Sequence, residues 1–101
     1  MSESNITYII SFDVKKKYLT EFAEIMASVK QDLPSVEGCS GVSIYRDADE
    51  HNNYTLVEKW KAKGLHEKHI KSLIDNGSWN HISGLLAAEP VGSYFNEHLT
   101  P

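Results

Sequence analysis

The sequence predicts an α+β fold in which one antiparallel sheet carries its helices on a single side. Three observations point there: four stretches alternate with a period of two, two of the segments between them repeat with helical spacing, and the order is strand, helix, strand, strand, helix, strand.

The first strand is the clearest. Ile6, Tyr8, Ile10, Phe12 and Val14 alternate with Thr7, Ile9, Ser11 and Asp13, which gives one apolar face and one mixed face. Lys15-Lys16-Lys17 follows and reads as a solvated corner. Tyr18, Phe22, Ile25, Val29 and Leu33 then recur at helical spacing with Met26 beside them, so an amphipathic helix lies on the sheet. Pro34 disfavours helical geometry at Leu33 and ends it. After a turn at Ser35 to Gly38, a second strand runs through Val42, Ile44 and Arg46, with Gly41, Ser43 and Tyr45 on its other face. The polar connector Asp47 to Asn53 makes this strand and the next an antiparallel hairpin.

In the third strand Tyr54, Leu56, Glu58 and Trp60 share one face, and Thr55, Val57 and Lys59 the other. From about Gly64 the spacing becomes helical, with Leu65, His69 and Leu73 in line and His66 and Ile70 flanking them. Asn76-Gly77 breaks that helix. Trp79, Ile82 and Leu86, with Leu85 alongside, predict a further short helix, and Pro90 opens a last strand in which Val91, Ser93 and Phe95 alternate with Gly92, Tyr94 and Asn96. The arrangement is the ferredoxin-like βαββαβ order. Its helices cover one sheet face, and the other is expected to carry several of Ile9, Tyr45, Leu56, Val57, Trp60, Tyr94 and Phe95, an apolar surface that self-association would remove.

A length of 101 residues fits one domain spanning 1–101. A net charge of −4 speaks against nucleic acid and anionic membranes as partners, since both require clustered cations. Cys39 is the sole cysteine, which excludes an internal disulfide and a cysteine-rich metal knuckle. No apolar run approaches the roughly 20 residues of a membrane span, and the polar opening residues lack the character of a secretory signal, so a cytoplasmic protein is expected.

Tyr54-x-Leu56-Val57-Glu58-x-Trp60, followed by a helix bearing Leu65 and His69, resembles the signature of the antibiotic biosynthesis monooxygenase domain family. Glu37-Gly38-Cys39 and Ile44-Tyr45-Arg46-Asp47 match the segment that precedes it there, and the resemblance covers nearly the whole chain. It implies a homodimer paired sheet to sheet as a dimeric α/β barrel. For activity it implies one of several reactions, because members include cofactor-free oxygenases of quinols and anthrones, haem-degrading enzymes and an autoinducer-processing isomerase.

The residues that resemblance singles out centre on Trp60. In the anthrone oxygenases a tryptophan here lines the substrate pocket with an asparagine four residues earlier and a tyrosine six later, positions held in this chain by Leu56 and His66. Losing the asparagine removes an amide that would orient a phenolic oxygen, whereas His66 retains a proton-transfer group. His69 sits where many members keep a histidine, and its implied role is general base, deprotonating a phenolic substrate so that the anion passes an electron to oxygen without metal or flavin. The plain alternatives are a core tryptophan and a histidine bonded to a backbone carbonyl. Haem-degrading members need an asparagine on the first strand, where this chain offers Tyr8. They also need a tryptophan and, ten residues later, a histidine, where it has His69 and Trp79. His81 lies two residues past that ligand position, turned by roughly 200° on a helix.

The expected site is therefore catalytic His69 and His66, with Trp60, Trp79, Tyr8 and Leu56 binding an aromatic substrate beside O2. No cofactor and no metal are expected. His66-Glu67-Lys68-His69 spaces its histidines three apart, where the zinc hydrolase pattern needs four, and no phosphate loop, dinucleotide fingerprint or nucleophile elbow is present. Two further readings compete: an isomerase or lyase of a small carbonyl or phosphorylated metabolite, using the same histidine as proton shuttle, and a non-catalytic dimeric binding module.

Overall fold

In a computed structural model, which describes residues 5–98, the elements run β1 (Ile6–Asp13), α1 (Leu19–Asp32), β2 (Cys39–Arg46), β3 (Asn53–Trp60), α2 (Lys63–Asp75), α3 (Ser78–Gly84) and β4 (Val91–Phe95). The strands form one antiparallel sheet in the order β2-β3-β1-β4, the ferredoxin-like arrangement.

Boundaries differ from the sequence reading where backbone geometry intervenes. Tyr18 and Leu33 fall in short 3₁₀ turns at either end of α1, with Pro34 inside the second. β2 starts earlier than the Val42 alternation implied, at Cys39, because an irregularity between Cys39 and Gly41 resets its pairing with β3. α3 stops at Gly84, and Leu85 and Leu86 bury themselves beyond it, Leu86 bridging to Val14 at the end of β1.

Register decides which faces meet the helices. Ile10 lies opposite Leu56, Phe12 opposite Tyr54, and Tyr8 opposite both Glu58 and Tyr94. These residues, with Trp60, form the covered face. Leu56, Trp60 and Tyr94 therefore leave the set expected on the bare face, because each shares the pleat side of Ile10 and Phe12 rather than that of Ile9. Ile9, Tyr45, Val57 and Phe95 remain there, joined by Val91, and Tyr45, Val91 and Phe95 are 59%, 72% and 48% exposed.

One end of the covered face is closed by aromatic packing, with the Phe22 ring 5.3 Å from Phe12 and 5.0 Å from Tyr54. At the other end Gly38 adopts φ +91°, and a Cβ there would run into Leu65. Its carbonyl accepts the Lys61 N–H at 2.8 Å. That contact fixes where α2 starts, and so where its histidines point.

Candidate active site

Between the sheet and the three helices lies a cavity of about 320 Å³, within the range of small-molecule sites. Ile10, Phe12 and Leu56 form its floor, Met26 and Val29 of α1 one wall, and Leu73 and Trp79 another. Against this largely apolar lining stand Tyr8 from β1, Glu58 from β3 and His69 from α2, with Ser28 and Asp32 of α1 and Ser78 of α3 also on the wall.

Of the six residues expected at the site, Tyr8, Leu56, His69 and Trp79 line the cavity, whereas Trp60 and His66 are not among its lining residues. They stand behind it, buried at 0% and 1% exposure. The rings nevertheless form one group. Tyr8 stacks on His66 at 4.0 Å between centroids, Trp60 meets His66 edge-on at 5.3 Å, and Trp60 lies 5.5 Å from His69. Tyr8 takes up this position because its partner strand carries Gly92, where any Cβ would collide with the Tyr8 hydroxyl.

Glu58 joins the two sets. Strand alternation puts it on the same face as Trp60 two residues on, and the Trp60 Nε1–H donates to its Oε1 at 2.8 Å. The same carboxylate oxygen is 3.6 Å from His66 Nε2, which is buried and has no hydrogen-bond partner. The other His66 ring nitrogen, Nδ1, is paired with the Tyr94 hydroxyl at 2.7 Å. Sequence reading placed Glu58 on the Trp60 face without assigning it to the site; the signal was a lone carboxylate inside an otherwise apolar alternation.

Burial sets the acid–base character of the group. It raises the Glu58 carboxyl above its ordinary range, an effect the Trp60 bond partly opposes. It lowers the His66 imidazole to about 4, with neighbouring His69 adding to the shift, and lowers His69 as well. Burial and the Glu58 charge push the Tyr8 phenol up. At the cavity wall His69, whose charged form burial disfavours, thus stands with a carboxyl whose charged form burial also disfavours, and His66 lies behind them, an arrangement suited to moving protons on and off a bound molecule.

The remaining histidines stay outside. His81 pairs with Glu21 at 2.8 Å on the exposed side of α3, and His51 and His98 are exposed. Among the described residues no three His, Cys, Asp or Glu side chains converge as a metal site would require, and no helix is long and apolar enough to cross a membrane.

Comparison with known proteins bears on this geometry. The profile of the antibiotic biosynthesis monooxygenase family matches residues 5–73, from β1 to the last turn of α2. No curated protein matches the sequence. A conserved protein from Methanosarcina mazei superposes with a TM-score of 0.83 at 22% identity, over 95% of each chain. A candidate antibiotic biosynthesis monooxygenase from Bordetella bronchiseptica gives 0.79 at 22%, over 96% of this chain and 100% of that one. A variant of SnoaB, a cofactor-independent oxygenase from Streptomyces nogalater, gives 0.80 at 15%, over 96% of each. At such identities the structural likeness is one of fold.

Proposed function

The chain belongs to the antibiotic biosynthesis monooxygenase family, and from that premise we propose that it is a cofactor-independent monooxygenase of an aromatic, quinol- or anthrone-like substrate. The observation that carries the reading is a predominantly apolar cavity of about 320 Å³ lined by His69, whose charged form burial disfavours. Such a space suits a flat ring and dissolved O2 alike.

His69 takes a proton from the activated position of the substrate. The resulting anion gives one electron to O2, and the radical pair combines at carbon to a peroxide that takes the proton back. Loss of water then turns the CH₂ group into a carbonyl, so that substrate and O2 give product and water with no other reductant. An apolar lining favours this course because it holds the anion beside oxygen with few competing water contacts. Tyr8, Leu56 and Trp79 would hold the ring, and Trp60 supports the site from behind through Glu58. His66 also acts from behind the wall.

A phosphorylated metabolite fits less well, because the described lining contains no lysine or arginine to meet a phosphate, while it does contain Glu58. An isomerase or lyase of a neutral carbonyl compound and a binding module are the outcomes that a negative result would favour. The test is oxygen uptake with a panel of quinols and anthrones. His69→Ala is expected to slow it by about 100- to 10,000-fold at nearly unchanged melting temperature. A His69→Ala protein that keeps full activity, or wild-type protein that binds the ring compounds without consuming oxygen, would overturn the assignment.

The bare sheet face of Ile9, Tyr45, Val57, Val91 and Phe95 is read as the interface of a homodimer, closing two sheets into a barrel. A stable monomer by light scattering at micromolar concentration would refute that. A cytoplasmic setting agrees with the single cysteine.

A further inference from the structure

Glu58 is 5% exposed, lines the cavity, and has no part in the chemistry assigned to His69. It also begins a line of groups leading out of the site. Its Oε1 is 3.6 Å from His66 Nε2, a little beyond hydrogen-bond range, and that nitrogen is buried without a partner. On the far side of the ring, Nδ1 meets the Tyr94 hydroxyl at 2.7 Å. Tyr94 sits half-buried on the edge strand β4, with Lys63 Nζ 4.8 Å from its ring centre. An imidazole between a carboxyl and a hydroxyl moves protons by accepting one at one nitrogen, here Nδ1 from the hydroxyl, while releasing one from the other, here Nε2 to the carboxylate. Contacts of this kind often lie slightly long in an empty site and tighten when substrate binds.

We propose that Glu58 is the proton donor of the site and that His66 and Tyr94 form the relay that reloads it from solvent. The inference rests on the oxygenase reading for the fate of the proton, though not for the relay itself. In the last step of that reaction His69 removes the second proton from carbon. The Glu58 proton goes to the departing oxygen, which leaves as water while the C=O bond forms. The site is left with protonated His69 and ionised Glu58; His69 loses its proton to solvent, and Glu58 recovers one through His66 from Tyr94, whose hydroxyl takes its replacement from solvent. Trp60 keeps the carboxyl in place by donating to Oε1. The titratable or charged groups packed around the relay are Tyr8, Cys39 and His69, with Glu67 and Lys63 beside Tyr94.

Glu58→Gln retains an acceptor for Trp60 and removes the proton donor. It is expected to lower kcat by about 100- to 10,000-fold with little change in KM, and Glu58→Asp to restore part of the rate. Tyr94→Phe keeps the ring and deletes the outer hydroxyl; kcat is expected to fall by about tenfold and to recover when small buffer acids are added. Both arms use wild-type and variant protein with the most active quinol of the panel. Without any substrate, NMR titration of ¹⁵N-histidine and ¹³C-carboxyl resonances is expected to show Glu58 and His66 titrating as a coupled pair, with the Nδ1 signal moved by Tyr94→Phe. Independent titration of the two groups, or full turnover in Tyr94→Phe or Glu58→Gln, would overturn the relay even with oxygen uptake intact. If wild-type protein consumes no oxygen, the oxygenase reading fails separately, and the NMR coupling alone decides whether the relay exists.

Discussion

The two ends of the helix-covered sheet face are built from the same strands and the same liking for rings, yet they behave differently. At one end Phe12, Phe22 and Tyr54 pack at 5.0–5.3 Å between centroids and close the core. At the other, Tyr8, Trp60, His66 and Tyr94 stand at comparable spacing, but Trp60 donates to the Glu58 carboxyl and Tyr94 is paired with His66. Packing density alone does not separate a core from a site here. What separates them is whether the buried rings carry polar atoms that need partners, since an unmatched donor or acceptor in a dry interior costs about 1–3 kcal/mol. The polar end bears that cost at His66 Nε2.

Truncating one ring at each end is the strongest way to test the contrast. Phe22→Ala and Trp60→Ala each empty a fully buried position and are expected to cost about 3–5 kcal/mol in urea unfolding. Only Trp60→Ala also removes the ring packed against His69 and the donor that holds Glu58 at the cavity, so it alone should abolish ligand binding in protein that remains folded in the cold. Equal loss of binding in both variants would mean that the ends are not functionally distinct.

Acid provides the next test, and its sign follows from His66. An unfolded chain protonates this imidazole near pH 6.5, while the folded chain resists until about 4. The unfolded state therefore binds more protons between those values, and stability is lost as pH falls through that window, by up to about 3 kcal/mol. Glu58 runs the opposite way: its carboxyl is raised in the fold, so its contribution declines as pH climbs out of the ordinary carboxylate range. Melting curves of wild type and His66→Gln should converge as pH drops from 6.5 to 4. A constant gap would mean that the buried ring is already charged.

The smallest expected effect comes from Gly92→Ala, which drives a methyl group into the Tyr8 phenol. Overpacking of this kind costs about 1–3 kcal/mol, and here the tip of a side chain yields before the backbone does. Calorimetry with a bound ring compound should show affinity falling more than stability. The reverse order would place Tyr8 in the core rather than the site.

Much of this was legible in the residues. The four alternating stretches and the breaks at Pro34 and Asn76-Gly77 lead to the observed element order, because period and punctuation are local properties. Sheet-face membership was less accessible. Leu56, Trp60 and Tyr94 are apolar or aromatic enough for either side, and only the pairing of β1 with β3 and β4 sends all three inward. Glu58 escaped for a related reason. A carboxylate in an alternating strand reads as solvated until its neighbours are known, and His66 reaches it only through the turn that Gly38 fixes against Leu65. Trp79 could be placed on a short helix by spacing, but the cavity it lines exists only once α3 has turned back over the sheet.

The central position of β1 also shapes how the chain acquires its structure. β1 pairs with residues 53–60 on one side and 91–95 on the other, so its two neighbours are separated from it by very different lengths of chain. Loop closure makes the second pairing entropically dearer and slower than the hairpin between β2 and β3, which closes across a short connector. Until β4 docks, the strand carrying Tyr8 and Ile10 has an open edge able to recruit another chain in its place. During synthesis that edge stays unpaired between the emergence of β3 and that of β4, and slow translation across residues 61–90 would lengthen the interval.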